Sequence, residues 1–139
     1  MAVRISRREA REHLVGLLYE TEFRSDEEKE IIFETSSEMR EIPKDNFIKK
    51  TYFEICEKRE EIDALISKHS VGWKTERLTR VSRAILRLAV YELAFADDIP
   101  SRVSINEAVE LTKKFDDEKA KAFINGILNS VKNDVGEKA

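Results

Sequence analysis

The chain has 139 residues, 41% hydrophobic and 38% charged, with a formal net charge of −3. That length suits one domain or two small subdomains sharing a core, and the mild negative charge excludes a global field that attracts nucleic acid, so phosphate contact requires a local patch. The single cysteine, Cys56, excludes an internal disulfide and points to a reducing cytosol. Met1-Ala2-Val3-Arg4 carries no secretory or lipidation pattern, in keeping with a cytoplasmic protein.

Ser6 with Glu9 is a capping-box signature, so a first helix is expected from about Ser6 to Phe23. Ser25 with Glu28 repeats it ahead of a second helix to about Arg40, whose Asp26-Glu27-Glu28 start suits the positive end of the dipole. Pro43 fits a first helical turn, and a third helix over about 43–69 turns Phe47, Thr51, Ile55, Ile62, Leu65 and Ile66 inward until Gly72 stops it. Thr75 is a cap for a short helical turn. From Leu78 to Phe95 no Gly or Pro intervenes, and between Ala84 and Ala96 only Arg87 and Glu92 are charged. A helix apolar nearly all round is buried nearly all round, so 80–96 is expected to be the central helix. It is too short, and too charged at its ends, to span a membrane. Asp97 to Ser101 reads as a loop, and Ser104 with Glu107 as a third capping box for a helix to about Phe115. A last helix covers about 117–133. With no strand alternation and no fixed repeat, the expected fold is all-α, of about seven helices. Residues 1–72 form the N-terminal subdomain and 73–139 the C-terminal one, with the break near Gly72 and Trp73.

Catalysis finds little support. His13 and His69 have no ligand-like spacing to each other or to Cys56, and there is no phosphate-binding Gly loop or nucleophile elbow. No enzyme activity, metal or cofactor is expected. The first helix is different. Arg4, Arg7, Arg8 and Arg11 follow i, i+3, i+4, i+7 and share a side. Cations in a first turn oppose the helix dipole by about 0.3–1 kcal/mol each at exposed sites. A phosphate ligand would reverse that balance, since guanidinium forks and free helix N–H groups both address anions. The plain alternative is a solvated basic face balancing the acidic second helix. The same helix has two apolar sides, one of Leu14, Leu17 and Leu18 and one of Val15, Tyr19 and Phe23. A two-sided helix is sandwiched, either within its own chain or against a partner, and Tyr19 is the member best suited to an interface. Gly16 between the rows permits a close crossing.

Leu78-Thr-Arg-Val-Ser-Arg-Ala-Ile-Leu-Arg-Leu-Ala-Val-Tyr-Glu-Leu93, Ile99-Pro100, Val103-Ser-Ile-Asn-Glu-Ala-Val-Glu-Leu111, Lys114-Phe115 and Phe123-Ile-Asn-Gly-Ile-Leu128 together resemble the bacterial transcription antitermination factor family NusB. So do Arg7-Arg8-Glu9-Ala10-Arg11-Glu12 and Leu18-Tyr19-Glu20. The resemblance implies an all-helical fold of two small bundles sharing a core, and binding of boxA RNA in ribosomal RNA leader transcripts. Its implied partners are a small-subunit ribosomal protein, NusE, and the RNA polymerase elongation complex with other Nus factors. It also implies RNA contacts at Arg7, Arg8 and Arg11, with Arg4 just outside the match, and a base stacked on Phe123. Where the family often has an acidic residue, Ser, any residue and Lys before that Phe, this chain reads Lys119-Ala120-Lys121-Ala122. Moving the basic residue by one turns it by about 100°, so Lys119 or Lys121 is expected to serve instead. The alternative is a non-enzymatic helical adaptor or ribosome-assembly factor of the NusB-like RNA-binding type.

Overall fold

The computed structural model describes residues 5–70 and 78–139, and these form seven helices. They are α1 (Arg7–Phe23), α2 (Lys29–Met39), α3 (Asn46–Glu57), α4 (Arg59–His69), α5 (Arg80–Phe95), α6 (Ser101–Phe115) and α7 (Ala120–Val135). Among the described residues there is no strand, and no helix is long and apolar enough to cross a membrane. The chain divides into two compact units, Met1–Glu57 and Lys58–Ala139. The expected break at Gly72 and Trp73, the stop at Gly72 and the cap at Thr75 lie outside the described residues.

In the first unit α1 packs on α3 and, over a shorter stretch, on α2. Leu14, Val15, Leu17 and Leu18 are buried, and Thr21 hydroxyl lies 2.6 Å from the buried Tyr52 hydroxyl of α3. Burial raises the Tyr52 phenol pKa, partly opposed by the Thr21 hydrogen bond. Tyr52, Phe53 and Phe33 form a ring cluster with centroids 5.3–5.5 Å apart, which ties α2 to α3. Gly16 admits a side chain instead of a helix: a Cβ there would stand 2.4 Å from an Nη of Arg40, whose guanidinium lies 3.7 Å from Glu20.

Two expected boundaries in this unit are corrected. Ser25 does not cap α2. Arg24 forks onto Glu27, at 2.6 and 2.8 Å, and holds a turn there, so the helix opens only after Glu28, with no side-chain cap. The Arg24 hydrogen bond also lowers the Glu27 carboxyl pKa. α3 begins at Asn46 instead of Pro43, with Asp45 Oδ1 accepting from Ile48 N at 3.0 Å. Nor is the helix expected over 43–69 continuous. It breaks at Lys58, without Gly or Pro, and Lys58 ammonium sits 4.9 Å from the ring centroid of half-buried Phe95 in the second unit.

The second unit is built on α5, as its composition requires. α4, α6 and α7 all pack against it, and every residue from Ala84 to Leu93 is buried. Its two charges therefore need internal partners. Arg87 forks onto Asp63 of α4 at 2.9 and 3.1 Å, and Glu92, 1% exposed, accepts from Ser104 hydroxyl of α6 at 2.7 Å. Thr79 caps α5 by accepting from Ser82 N, and both hydroxyls donate to Asp116 at the end of α6. At the other end Lys138 ammonium donates to Glu92 and Ala96 carbonyls, and Lys138 N donates to Ser101 Oγ at 2.8 Å. His69 and Lys68 bind Asp134 of α7 at 2.8 and 2.9 Å and lower its pKa.

The third expected capping box is also corrected: α6 starts at Ser101, and Ser104 lies inside it as the donor to Glu92. Asp is among the best N-caps, so Ser104→Asp would be neutral at a helix start. Here it sets a second carboxylate against buried Glu92 and should lower stability by about 3 kcal/mol or more, whereas Ser104→Ala costs about 1–3 kcal/mol. Denaturant melts of the two variants distinguish these roles, and an unchanged midpoint for Ser104→Asp would contradict the contact.

Candidate nucleic-acid interface

The N-terminus of α1 brings a capped helix start together with two exposed cations and the Glu9 carboxylate. Ser6 adopts an extended backbone, and its Oγ accepts from Glu9 N at 3.0 Å, as the capping box predicts. Ala10 N donates to Ser6 carbonyl. The N–H groups of Arg7 and Arg8, at the first two helical positions, have no intrahelical acceptor, as at any helix start. Arg7 and Arg8 side chains are exposed around these donors. Arg7 Cζ stands 3.9 Å from the Phe47 ring centroid, so the α3 aromatic supports one side of the guanidinium. Arg7 makes no ion pair with a described residue, and a stacked fork is well shaped for phosphate.

Arg11 stands apart, being only 4% exposed. Arg8 and Arg11 both interact within the fold, so burial is what separates them, and the exposed face is left to Arg7 and Arg8. The reason is legible in the helix: Arg7, Arg11, Leu14 and Leu18 form an i, i+4, i+7, i+11 row, so the stripe runs directly into the core-facing side. Arg4 lies outside the described residues. On the second apolar side, Val15 is buried while Tyr19 and Phe23 are 37% and 52% exposed. Their rings meet edge to face at 5.1 Å and present a continuous aromatic surface.

The second unit carries the other expected contacts at the start of α7. Lys119 is exposed and makes no ion pair with a described residue. Lys121 is half-buried and binds Glu118 at 3.0 Å, which lowers the Glu118 carboxyl pKa. Phe123 is only 8% exposed and belongs to the buried side of α7 with Ile124 and Ile127. The ring that sequence reasoning passed over is Phe115, 43% exposed at the end of α6, with Lys114 ammonium 5.5 Å from its centroid. Its signal was present in the Lys114-Phe115 pair: a large aromatic at the last position of an amphipathic helix, beside a cation. Among the described residues no group of three His, Cys, Asp or Glu converges to hold a metal.

Known proteins share this architecture and sequence. The model of the NusB family matches residues 8–133. Proteins named transcription antitermination protein NusB from Bacillus pumilus and Bacillus subtilis are each 41% identical over 131 residues, covering 94% of this chain and 98% of theirs. Among solved structures, T. maritima NusB aligns with a TM-score of 0.80 at 36% identity, over 94% of this chain and 93% of that one. A crystal structure of antitermination factors NusB and NusE in complex with dsRNA aligns with a TM-score of 0.80 at 32% identity, over 92% and 96% of the two chains.

The burial difference along the Arg stripe has a measurable consequence. Removing exposed Arg7 and Arg8 together should leave stability within about 1 kcal/mol, because the loss of the Phe47 contact is offset by relief of the dipole. Arg11→Ala should cost about 1–3 kcal/mol through lost packing and an orphaned partner. Thermal melts that ranked the double variant as the less stable would reverse the assignment.

Proposed function

The chain belongs to the NusB family, and on that premise we propose that it is an RNA-binding transcription antitermination factor which recognises boxA RNA together with the ribosomal protein NusE. The observation that carries this reading is the first turn of α1: two exposed arginines at a helix start, one of them held on an aromatic ring. Such a site meets phosphate through charge, fork geometry and dipole at once. Arg7 and Arg8 are assigned to the RNA backbone, with Lys119 and Lys121 as further phosphate contacts. Arg11 positions the helix. Exposed Phe115 offers a face for a base, a contact worth roughly 1–3 kcal/mol, whereas Phe123 has to turn outward to do so. The chain acts by binding, without catalysis, in the cytoplasm, where transcription proceeds beside its ribosomal partner.

Four phosphate contacts on single-stranded RNA give a log–log salt slope of roughly −3, at about −0.7 per contact. Filter binding of a boxA strand across a salt series measures it. Arg7→Ala with Arg8→Ala should flatten the slope by more than one and weaken binding with little change in melting. An affinity that barely moves with salt would contradict phosphate recognition by α1.

The Tyr19–Phe23 surface is assigned to NusE. It lies on the same helix as the arginines, and any coupling between RNA and partner is reciprocal, each changing the other's affinity by one common factor. With Tyr19 already 37% exposed, Tyr19→Asp should cost little folding stability and weaken NusE binding by about tenfold or more. Calorimetric titration of NusE into wild type and variant reads this, and equal affinities would move the docking surface elsewhere.

A further inference from the structure

The first unit contains a groove of about 840 Å³ between α2 and α3, which neither the RNA contacts nor the Tyr19 surface uses. Its floor is aromatic and aliphatic, with Phe33 and Phe53 half-buried and Ile42 and Pro43 closing one end. Its α2 wall is acidic. Glu30, Glu34 and Glu38 recur at i, i+4, i+8 and so form one exposed row about 12 Å long, at 1.5 Å rise per residue. None of the three makes an ion pair with a described residue. Like charges at this spacing repel one another, so the row does nothing for α2 itself. α2 also has no side-chain cap and buries only Ile32 and Ser36. Between row and floor lies Ser37, whose hydroxyl oxygen is buried with no hydrogen-bond partner among the described residues. The opposite wall carries Lys44 and Lys49 with Asp45, which leaves the rim with four carboxylates against two ammonium groups.

We propose that this groove docks a basic amphipathic helix of a protein partner. Apolar side chains of that helix fill the Phe33–Phe53 floor, and Lys or Arg residues at i, i+4, i+8 meet Glu30, Glu34 and Glu38. Two helices with a hydrophobic trough between them accept a third helix by the usual helix-in-groove packing. The periodicity of the carboxylates matches one face of such a helix, and their missing partners are the cations it brings. The acidic wall rejects nucleic acid, so the occupant is distinct from the RNA. The groove and the Arg7 site share the first turn of α3: Asn46 and Lys49 line the groove, while Phe47 carries Arg7.

The test uses the full chain and a fluorescein-labelled helical peptide of about four turns, with Lys at i, i+4, i+8 beside a Leu/Phe stripe. Its control has Glu at the three Lys positions. Anisotropy titrations should show saturable binding of the Lys peptide, at least about tenfold tighter than the Glu peptide and at least about tenfold weaker to Glu34→Lys with Glu38→Lys. Both substituted residues are exposed, so the variant should melt like wild type. Amide shift mapping on wild type should place the perturbed residues at Phe33, Ser37 and Phe53. Arg7→Ala with Arg8→Ala should leave peptide affinity unchanged, which separates this surface from the RNA site. Equal affinity for the two peptides, an unchanged affinity for the charge-reversed variant, or shifts confined to α1 would each overturn the proposal. So would self-association of the chain that blocks the peptide and disappears in the variant, because the occupant would then be a second copy.

Discussion

The structure depends on one constraint: a helix buried on every side must have each of its polar groups met from within the protein. α5 is that helix. Arg87 and Glu92 lie inside its buried stretch, and each fixes a neighbour. Arg87 reaches Asp63 and so sets α4; Glu92 takes the hydroxyl of Ser104 and so sets α6. The ends obey the same rule. Thr79 and Ser82 bring Asp116 to the start of α5, and Lys138 covers carbonyls near its end. Hydrophobic area draws these helices together without direction. The polar ties choose among the packings that such area would allow.

The first unit solves a different problem, which is to hold α1 steady while leaving one turn of it exposed. α1 is anchored along its length by Leu14, Leu17 and Leu18 and near its end by the Thr21–Tyr52 contact. Its first turn is then a projection from a rigid element, with Ser6 securing the start and Phe47 supporting Arg7. Binding groups placed this way lose little conformational freedom on meeting a ligand. A net charge near zero is thereby divided into opposed local fields, with arginines at the head of α1 and carboxylates along α2. The first field attracts anions and the second cations.

Much of this was legible in the sequence because it is local or compositional. The unbroken apolar run from Ala84 fixed α5 as the central helix, since no other placement removes so much apolar surface from water. Ser6 with Glu9 marked the start of α1 correctly, and the ordered motifs from Leu78 to Leu128 carried the family. The arginines of α1 were visible as a group, but their roles were not. Arg11 has the same side chain as Arg7, yet sits one turn closer to the core and is buried.

Tertiary structure decided what identical local patterns mean. Ser25-x-x-Glu28 and Ser104-x-x-Glu107 have the same form as Ser6-x-x-Glu9, and neither is a cap. A capping pattern states that a hydroxyl could accept from a backbone N–H three residues on; it does not state that the chain turns into a helix there. Arg24 takes Glu27 and makes a turn around Ser25, while buried Glu92 claims Ser104 for the interior of α6. The break at Lys58 has no residue signal, because it marks where the chain leaves one compact unit for another. Phe115 and Phe123 differ in the same way: both are aromatic residues near a cation, and only packing made one a surface and the other part of a core. The sequence by itself determined which segments are helical and which of them is central, since periodicity and apolar content act within one segment. Which hydroxyls, guanidinium groups and rings remain open to a ligand was decided by the structure alone, since each depends on a partner distant in sequence.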